Sequence, residues 1–177
     1  MIVESAFDKK FVDFKRENNA ERQFNIAQKY FYGGEGEEDI SLASEWYEEA
    51  AKRGHPEAQY MRGYILQAGL TGKVDYRKGH GYLKRAASGD NIQAILMLAR
   101  NYYYGAGAQR KVGKAVKMWK KGAELGCPEA EYYLGLCYYK GDYVRKNDKK
   151  ARSHFQNALK GGFIPAESAL FEMGILN

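Results

Sequence analysis

Small, bulky and polar residues recur along this chain with a period of 36 residues. A recurring alanine marks the period: Ala58, Ala94, Ala130 and Ala166. A recurring glycine marks it again: Gly33, Gly69, Gly105 and Gly141. Each glycine is followed by a second small residue, an aromatic or large apolar pair, and a closing pair of small residues. A period of this length predicts a solenoid, in which each unit buries its apolar face against its neighbours.

Each period predicts two antiparallel helices. Ala94, Leu98 and Tyr102 stand at helical spacing, and Gly105 suits the left-handed conformation that ends many helices. The same pattern repeats in the other units. The predicted helices span about 22–33, 39–53, 58–68, 75–88, 94–104, 112–125, 130–140, 147–160 and 166–176.

The N-terminal segment has its own periodicity. Phe7, Phe11 and Phe14 predict an amphipathic helix over about 4–18 that caps the first unit. We therefore expect an all-α protein, a right-handed α-solenoid of helix-turn-helix repeats. The expected divisions are a capping helix at 1–21, repeats at 22–57, 58–93, 94–129 and 130–165, and a C-terminal half-repeat capping helix at 166–177.

The second and fourth repeats depart from this pattern. Gly79 and Gly81 stand inside the second helix of repeat two, where each costs about 1 kcal/mol relative to alanine. Tyr143 occupies the place of the second loop glycine in repeat four. We expect repeat two to be the softest part of the fold.

Two segments carry a resemblance to a known family. They are Ala130-Glu131-Tyr132-Tyr133-Leu134-Gly135 and Trp46-Tyr47-Glu48-Glu49-Ala50-Ala51, supported by Lys114-Ala115 and Lys150-Ala151. The pattern resembles the Sel1-like repeats, relatives of the tetratricopeptide repeats, over about residues 22–176. The resemblance implies a scaffold for protein–protein contacts, commonly bacterial, that has no catalytic activity. It does not name the partner.

Charge is distributed unevenly along the chain. Residues 1–57 hold 8 Lys and Arg against 13 Asp and Glu, whereas residues 58–177 hold 20 against 9. The net charge of +6 therefore combines an acidic N-terminal part with a strongly basic remainder. A basic surface favours a partner with an acidic surface.

Other features narrow the functional classes. The start of the chain lacks the apolar segment of a signal peptide, and no run approaches the roughly 20 apolar residues that span a bilayer. We therefore expect a cytoplasmic protein without a membrane partner. Cys127 and Cys137 are expected to be reduced structural thiols. His55, His80 and His154 lack metal-ligand spacing, so neither a metal nor a cofactor is expected.

The first helix of each repeat is expected to line a concave groove that binds the partner protein. Aromatic and cationic residues on its free face are the candidate contacts, because Tyr and Arg are enriched at interface hot spots. The candidates are Phe31, Tyr60, Tyr64, Arg100, Tyr103, Tyr139 and Lys140. Tyr32 and Tyr104 lie on the same face. We expect Tyr64, Arg100, Tyr103 and Tyr139 to be exposed, whereas packing remains an equal alternative for Tyr60.

A basic run lies on the outer face and leaves other functions open. It comprises Arg110, Lys111, Lys114, Lys117 and Lys121. A solvated surface is the plain interpretation of this run, and an acidic partner is the functional one. We predict a non-enzymatic binder, for example a bacterial immunity or adaptor protein that serves a single effector. The alternatives are a binder of nucleic acid or another polyanion, a hydrolase with a site in the groove, and a homodimer through the last helix.

Overall fold

The computed structural model describes residues 19–34, 36, 38–107 and 109–175. Those residues form nine α-helices and no strand, which confirms the all-α helical repeat fold. The predicted capping helix over about 4–18 lies outside the described residues. The helices are α1 (Ala20–Tyr32), α2 (Ile40–Lys52), α3 (Pro56–Ala68), α4 (Tyr76–Ser88), α5 (Ile92–Tyr104), α6 (Val112–Glu124), α7 (Pro128–Lys140), α8 (Asp148–Lys160) and α9 (Pro165–Glu172).

The helix boundaries follow from capping residues. Helices α2, α4 and α8 begin after Asp39, Asp75 and Asn147, whose side chains each accept a hydrogen bond from a first-turn backbone N–H at 2.9 Å. The loop glycines close the first helix of each repeat in the left-handed conformation. Helices α3, α5 and α7 begin two residues before the predicted positions, because their caps precede the first apolar residue of the pattern.

One prediction about local structure needs correction, and one departure from the repeat keeps its geometry. The last helix ends at Glu172 instead of continuing to about 176, because Gly174 adopts a positive φ of 68° and turns the chain. Tyr143 keeps the left-handed conformation of the glycine that it replaces, with φ 62°. Its ring covers the α-carbon of Gly113 at the start of α6. The fourth repeat therefore tolerates tyrosine in a conformation that usually favours glycine.

The described residues fall into two compact halves, one ending at Gly89 and the other beginning at Asp90. The N-terminal half contains α1 to α4. Its core is formed by Trp46 and Tyr47 of α2, Ile65 of α3 and Leu83 of α4, all of them buried. These residues come from the apolar positions of the repeat, so the sequence period accounts for this core.

Glycines allow α3 and α4 to cross closely. A Cβ atom on Gly63 would lie 2.7 Å from Leu83 Cγ and 3.0 Å from the carbonyl oxygen of Gly79. A Cβ atom on Gly79 would lie 2.8 Å from the carbonyl oxygen of Gly63. Gly79 is therefore a packing requirement. The expectation that it weakens repeat two is wrong for this residue, because the close crossing compensates for its low helix propensity.

The C-terminal half contains α5 to α9. Trp119 of α6 is buried and stacks on Tyr133 of α7, with ring centroids 4.9 Å apart. Phe155 of α8 lies against Gly135, where a Cβ atom would come within 2.6 Å of the ring. Large rings on second helices therefore fill the space that small residues on first helices leave, as the repeat pattern predicts.

The cysteines and two of the histidines have structural partners in the described residues. Cys127 and Cys137 are buried free thiols, and burial raises the pKa of Cys137 to about 12, which keeps it protonated. His55 caps α3 through Nδ1, which accepts a hydrogen bond from Ala58 N at 3.2 Å. His154 Nδ1 lies 2.6 Å from a carboxylate oxygen of Glu131. These contacts agree with the expectation that the residues are structural.

Candidate protein-binding site

Aromatic rings form a continuous series in the C-terminal half. The ring of Tyr103 lies 5.3 Å from that of Trp119, which in turn stacks on Tyr133 at 4.9 Å. Tyr132 continues the series at 5.5 Å from Tyr133. At the other end, Tyr104 meets Tyr103 edge to face, with centroids 5.1 Å apart. The series holds its members in fixed positions because each ring packs on the next.

Tyr103 is a structural member of this series, contrary to its predicted exposure. It is half-buried, and its hydroxyl donates a 2.6 Å hydrogen bond to a carboxylate oxygen of Asp142. That hydrogen bond, together with burial, raises the pKa of Tyr103 to about 12. Arg110 lies 5.1 Å from the ring centroid and donates through Nε to the carbonyl oxygen of Tyr103 at 2.8 Å. The Tyr103 hydroxyl is bonded to Asp142 and its ring packs on Arg110 and Tyr104. Tyr103 therefore holds these neighbours in place.

Tyr104 and Arg100 present the exposed part of this surface. Tyr104 is 68% exposed, and the side chain of Arg100 is also exposed, as predicted. Helical spacing of four residues places the two side chains on one face of α5. Tyr104 packs on the aromatic series, and Arg100 lies beside it on the same helix face. Exposed tyrosine and arginine are the residue types that are enriched at interface hot spots.

The N-terminal half repeats the same arrangement at α1. Phe31 and Tyr32 meet edge to face with centroids 5.0 Å apart, as Tyr103 and Tyr104 do two repeats later. Phe31 is half-buried against Tyr47, whereas Tyr32 is 65% exposed. Each half therefore holds one ring of the pair in its interior and leaves the other in solvent.

The remaining aromatic candidates are half-buried. Tyr60 and Tyr64 stack on each other at 6.4 Å, and Tyr64 also packs on the core of its half. Tyr139 packs on the core of the C-terminal half, with Lys146 Nζ 5.6 Å from its ring centroid. Full exposure was therefore the wrong expectation for Tyr64 and Tyr139. Lys140 is exposed.

The basic run before and along α6 is partly engaged. Arg110 contacts Tyr103, Lys114 Nζ lies 5.4 Å from the ring centroid of Tyr102, and Lys121 is paired with Asp90 at 2.7 Å. Lys111 and Lys117 are exposed. Lys111 stands at the N-cap of α6 and makes no capping hydrogen bond through its side chain. The run is therefore partly stabilised by neighbours and partly available to solvent.

Two sets of residues were missing from the predicted site. Tyr32 and Tyr104 were on the predicted face but outside the candidate site, although each directly precedes the glycine that ends its helix. The last residue of such a helix points away from the packed helices, as the exposure of Tyr32 and Tyr104 shows. An aromatic residue directly before the helix-ending glycine could therefore have been predicted to be exposed. Arg77 and Arg85 were also missed, although their spacing of eight residues places them on one face of α4.

A family model for the Sel1 repeat matches four consecutive segments of the chain. They are residues 21–55, 56–91, 92–127 and 128–163. The chain belongs to the Sel1 repeat family. No helix among the described residues is long and apolar enough to cross a bilayer.

Solved structures of Sel1 repeat proteins agree with this assignment. A Sel1 repeat protein from Oxalobacter formigenes superposes with a TM-score of 0.81 at 28% identity, over 86% of this chain and 62% of that one. An immunity protein from Pseudomonas aeruginosa superposes with a TM-score of 0.54 at 24% identity, over 84% of this chain and 55% of that one. The second likeness shows the fold alone.

Longer proteins match as well. The chitin synthase regulator SKT5 of Saccharomyces cerevisiae is 28% identical over 163 residues, which are 87% of this chain and 23% of the regulator. The chain spans about a quarter of the length of the first curated relatives that it matches.

Proposed function

We propose that this Sel1 repeat chain is a non-catalytic module that binds a partner protein, with Tyr32 and Tyr104 as the central contacts. The observation that carries this proposal is the repeated edge-to-face pair, in which a half-buried ring fixes an exposed tyrosine at the end of α1 and again at the end of α5. A tyrosine held in this way loses little conformational entropy on binding, so it gains affinity at low cost.

Exposed cations of the C-terminal half favour an acidic partner. Arg100 and Lys140 are exposed in the C-terminal half, and Lys111 and Lys117 add positive charge from α6. Such groups select a complementary acidic surface and accelerate its encounter with the chain. The excess of 20 basic over 9 acidic residues in residues 58–177 supports the same preference.

The perturbed groups support a binding role over a catalytic one. The raised pKa values of Tyr82, Tyr102, Tyr132 and Tyr133 follow chiefly from burial, and that of Tyr103 follows chiefly from its hydrogen bond to Asp142. Packing and hydrogen bonding explain these shifts, so none of them requires a reacting group. Sel1 repeat proteins are typically scaffolds, which agrees with this interpretation.

Within this class we propose a bacterial immunity or adaptor role in the cytoplasm, directed at a single effector protein. The Pseudomonas aeruginosa immunity protein shows that this fold occurs in a protein with such a name, although the likeness does not extend to a partner. The yeast chitin synthase regulator matches this chain over 23% of a much longer chain. Both are compatible with a module that positions or neutralises another protein.

A comparative pull-down tests the proposal. The purified chain, a Tyr32→Ala/Tyr104→Ala variant and a Tyr76→Ala/Leu125→Ala control are incubated with native lysate, and captured proteins are quantified by mass spectrometry. The control removes two exposed apolar side chains outside the aromatic pairs. We expect a protein captured by the wild type and the control to be lost with the first variant. Equal capture by all three, or recovery of nucleic acid alone, contradicts the proposal.

A further inference from the structure

A cationic pocket lies between α2, α3 and α4 in the N-terminal half, apart from the aromatic pairs. It has a volume of about 330 Å³ and is open to solvent. Its lining residues are Glu48, Arg62, Arg77, Lys78, Gly81, Tyr82 and Arg85. One carboxylate therefore faces four cationic side chains.

The single carboxylate is already occupied. Arg62 binds Glu48 Oε2 through both Nε at 3.1 Å and Nη2 at 2.7 Å, and Lys52 lies 3.5 Å from Oε1. Burial acts to raise the pKa of Glu48, but the hydrogen bonds and charges of Arg62 and Lys52 outweigh it and hold that pKa below its ordinary value. Glu48 is thus ionised and neutralises Arg62.

The other cations of the pocket remain available. Arg77 and Arg85 form no ion pair with any described residue, and Lys78 reaches Asp75 only at 3.9 Å with its side chain largely exposed. Arg85 lies 5.4 Å from the ring centroid of Tyr82, which orients the guanidinium at the pocket. Two arginines without an ion pair to any described residue form a site for an oxyanion, since guanidinium groups bind carboxylates with two parallel hydrogen bonds.

Gly81 gives the pocket a second feature that packing does not explain. Glycines inside the described helices have close neighbours at the Cβ position at Gly63, Gly79, Gly113, Gly122 and Gly135. At Gly81 a Cβ atom would meet nothing within 4 Å. Glycine inside a helix costs about 1 kcal/mol relative to alanine, so a residue with a side chain at position 81 would make the fold more stable. A missing side chain allows the main chain of a ligand to approach α4 closely.

Arg77, Gly81 and Arg85 stand four residues apart and share one face of α4. The bare position therefore lies between the two free guanidinium groups. The arrangement suits a peptide whose backbone crosses the helix at Gly81 while an acidic side chain on it reaches Arg77 or Arg85.

We infer that this pocket binds a carboxylate-bearing segment of a protein, with its backbone against Gly81 and its acidic side chain between Arg77 and Arg85. The inference rests on the proposed protein-binding function and assigns a second contact area to it. The pocket shares no residue with either aromatic pair, so variants of the pocket leave Tyr32 and Tyr104 unchanged. Failure of this inference is therefore distinguishable from failure of the proposed function.

The test measures binding of a fluorescently labelled peptide of alternating Glu and Gly by anisotropy. Gly81→Leu removes the close approach without changing any charge, and an Arg77→Gln/Arg85→Gln variant removes the guanidinium groups. An Arg152→Gln/Lys160→Gln variant is the charge-matched control, since both residues are exposed on α8. We expect each pocket variant to lower affinity by about tenfold or more and the control to retain it. Thermal unfolding of Gly81→Leu should match or exceed that of the wild type.

Three outcomes would overturn the inference. The first is equal affinity of the peptide for the wild type and Gly81→Leu. The second is equal affinity for a matched peptide of alternating Gln and Gly, which carries no charge. The third is a pocket-dependent affinity for inorganic phosphate or a single-stranded oligonucleotide that the acidic peptide does not show. Each would assign the pocket to packing or to a different anion.

Discussion

Helices α4 and α6 occupy equivalent places in the second and third repeats, 36 residues apart, but they depart from the repeat pattern in different ways. In α4 the cap residue Asp75 accepts a hydrogen bond from Lys78 N, whereas its equivalent Lys111 makes no side-chain cap for α6. Conversely, α4 has Gly81 where α6 has Lys117. Each helix therefore gives up local stability at a different position.

Gly79 shows that a departure can have a structural reason. It lies two residues from Gly81 on the same helix, and it is required by the close crossing with Gly63. Gly81 and Lys111 have no such reason in the described residues. Because natural sequences violate local rules mainly at functional or strained sites, we expect departures of the second kind to lie on surfaces that contact a partner.

The largest expected effect comes from Gly79→Ala. Its Cβ atom would lie 2.6 Å from Gln67 Cγ and 2.8 Å from the carbonyl oxygen of Gly63, and Gln67 is buried. Overpacking costs about 1–3 kcal/mol, and the gain in helix propensity recovers about 1 kcal/mol of that. We expect the free energy of unfolding in urea to fall by up to about 2 kcal/mol. An increase would show that packing does not explain this glycine.

Tyr103→Phe tests the anchored ring that precedes α6. The substitution keeps the ring but removes the hydrogen bond to Asp142, and for a half-buried tyrosine we expect a loss of about 1 kcal/mol. Because the folded-state pKa is raised, this stabilisation is complete below about pH 10, the unfolded-state value, and is lost as the pH rises through about 12. The free energy of unfolding of wild type and variant should converge over that range. A constant difference would contradict the assigned hydrogen bond.

Lys111→Asp restores to α6 the cap that α4 has. An N-cap carboxylate accepts a first-turn N–H and favours the positive end of the helix dipole, so we expect a gain of about 1 kcal/mol in the free energy of unfolding. Lys117→Asp makes the same charge change at an exposed position within the helix and should leave stability nearly unchanged. Equal gains in stability from both variants would show that the change in net charge, and not the N-cap hydrogen bond, causes the effect.

The smallest effect is expected from Gly81→Ala. Since nothing lies within 4 Å of the added Cβ atom, the variant should gain about 0.5–1 kcal/mol from helix propensity alone. The measurement is the same urea unfolding experiment, with Gly79→Ala as the matched comparison on one helix. A loss of stability would show that packing requires a glycine at position 81, as it does at position 79.

The sequence period was sufficient for the fold but not for the contacts between repeats. Spacing located the helices within a few residues, and it identified Trp119 and the small residues as interior positions. The role of Tyr103 depends on Asp142, 39 residues away and in no periodic relation to it. The neutralisation of Glu48 by Arg62 likewise requires two helices to be placed together. Such pairs are decided by tertiary packing, which single-sequence periodicity does not encode.

The exposed tyrosines illustrate the same limit. Tyr32 and Tyr104 occupy the last helical position of repeats one and three, whereas repeats two and four have Ala68 and Lys140 there. Periodicity marks this position as variable and places it on the expected face. The edge-to-face contact that holds each exposed ring against the preceding one is a property of the folded chain, which the spacing does not predict.

Amide hydrogen exchange of the chain, alone and bound to the captured partner, tests the central claim most directly. The claim is that the partner contacts the exposed tyrosines that end α1 and α5 and the open face of α4 at Gly81. We expect slowed exchange at the ends of α1 and α5, around Tyr32 and Tyr104, and along α4 around Gly81, with little change in the buried segments of α7. Slowed exchange confined to other surfaces, with these three segments unchanged, would contradict the account.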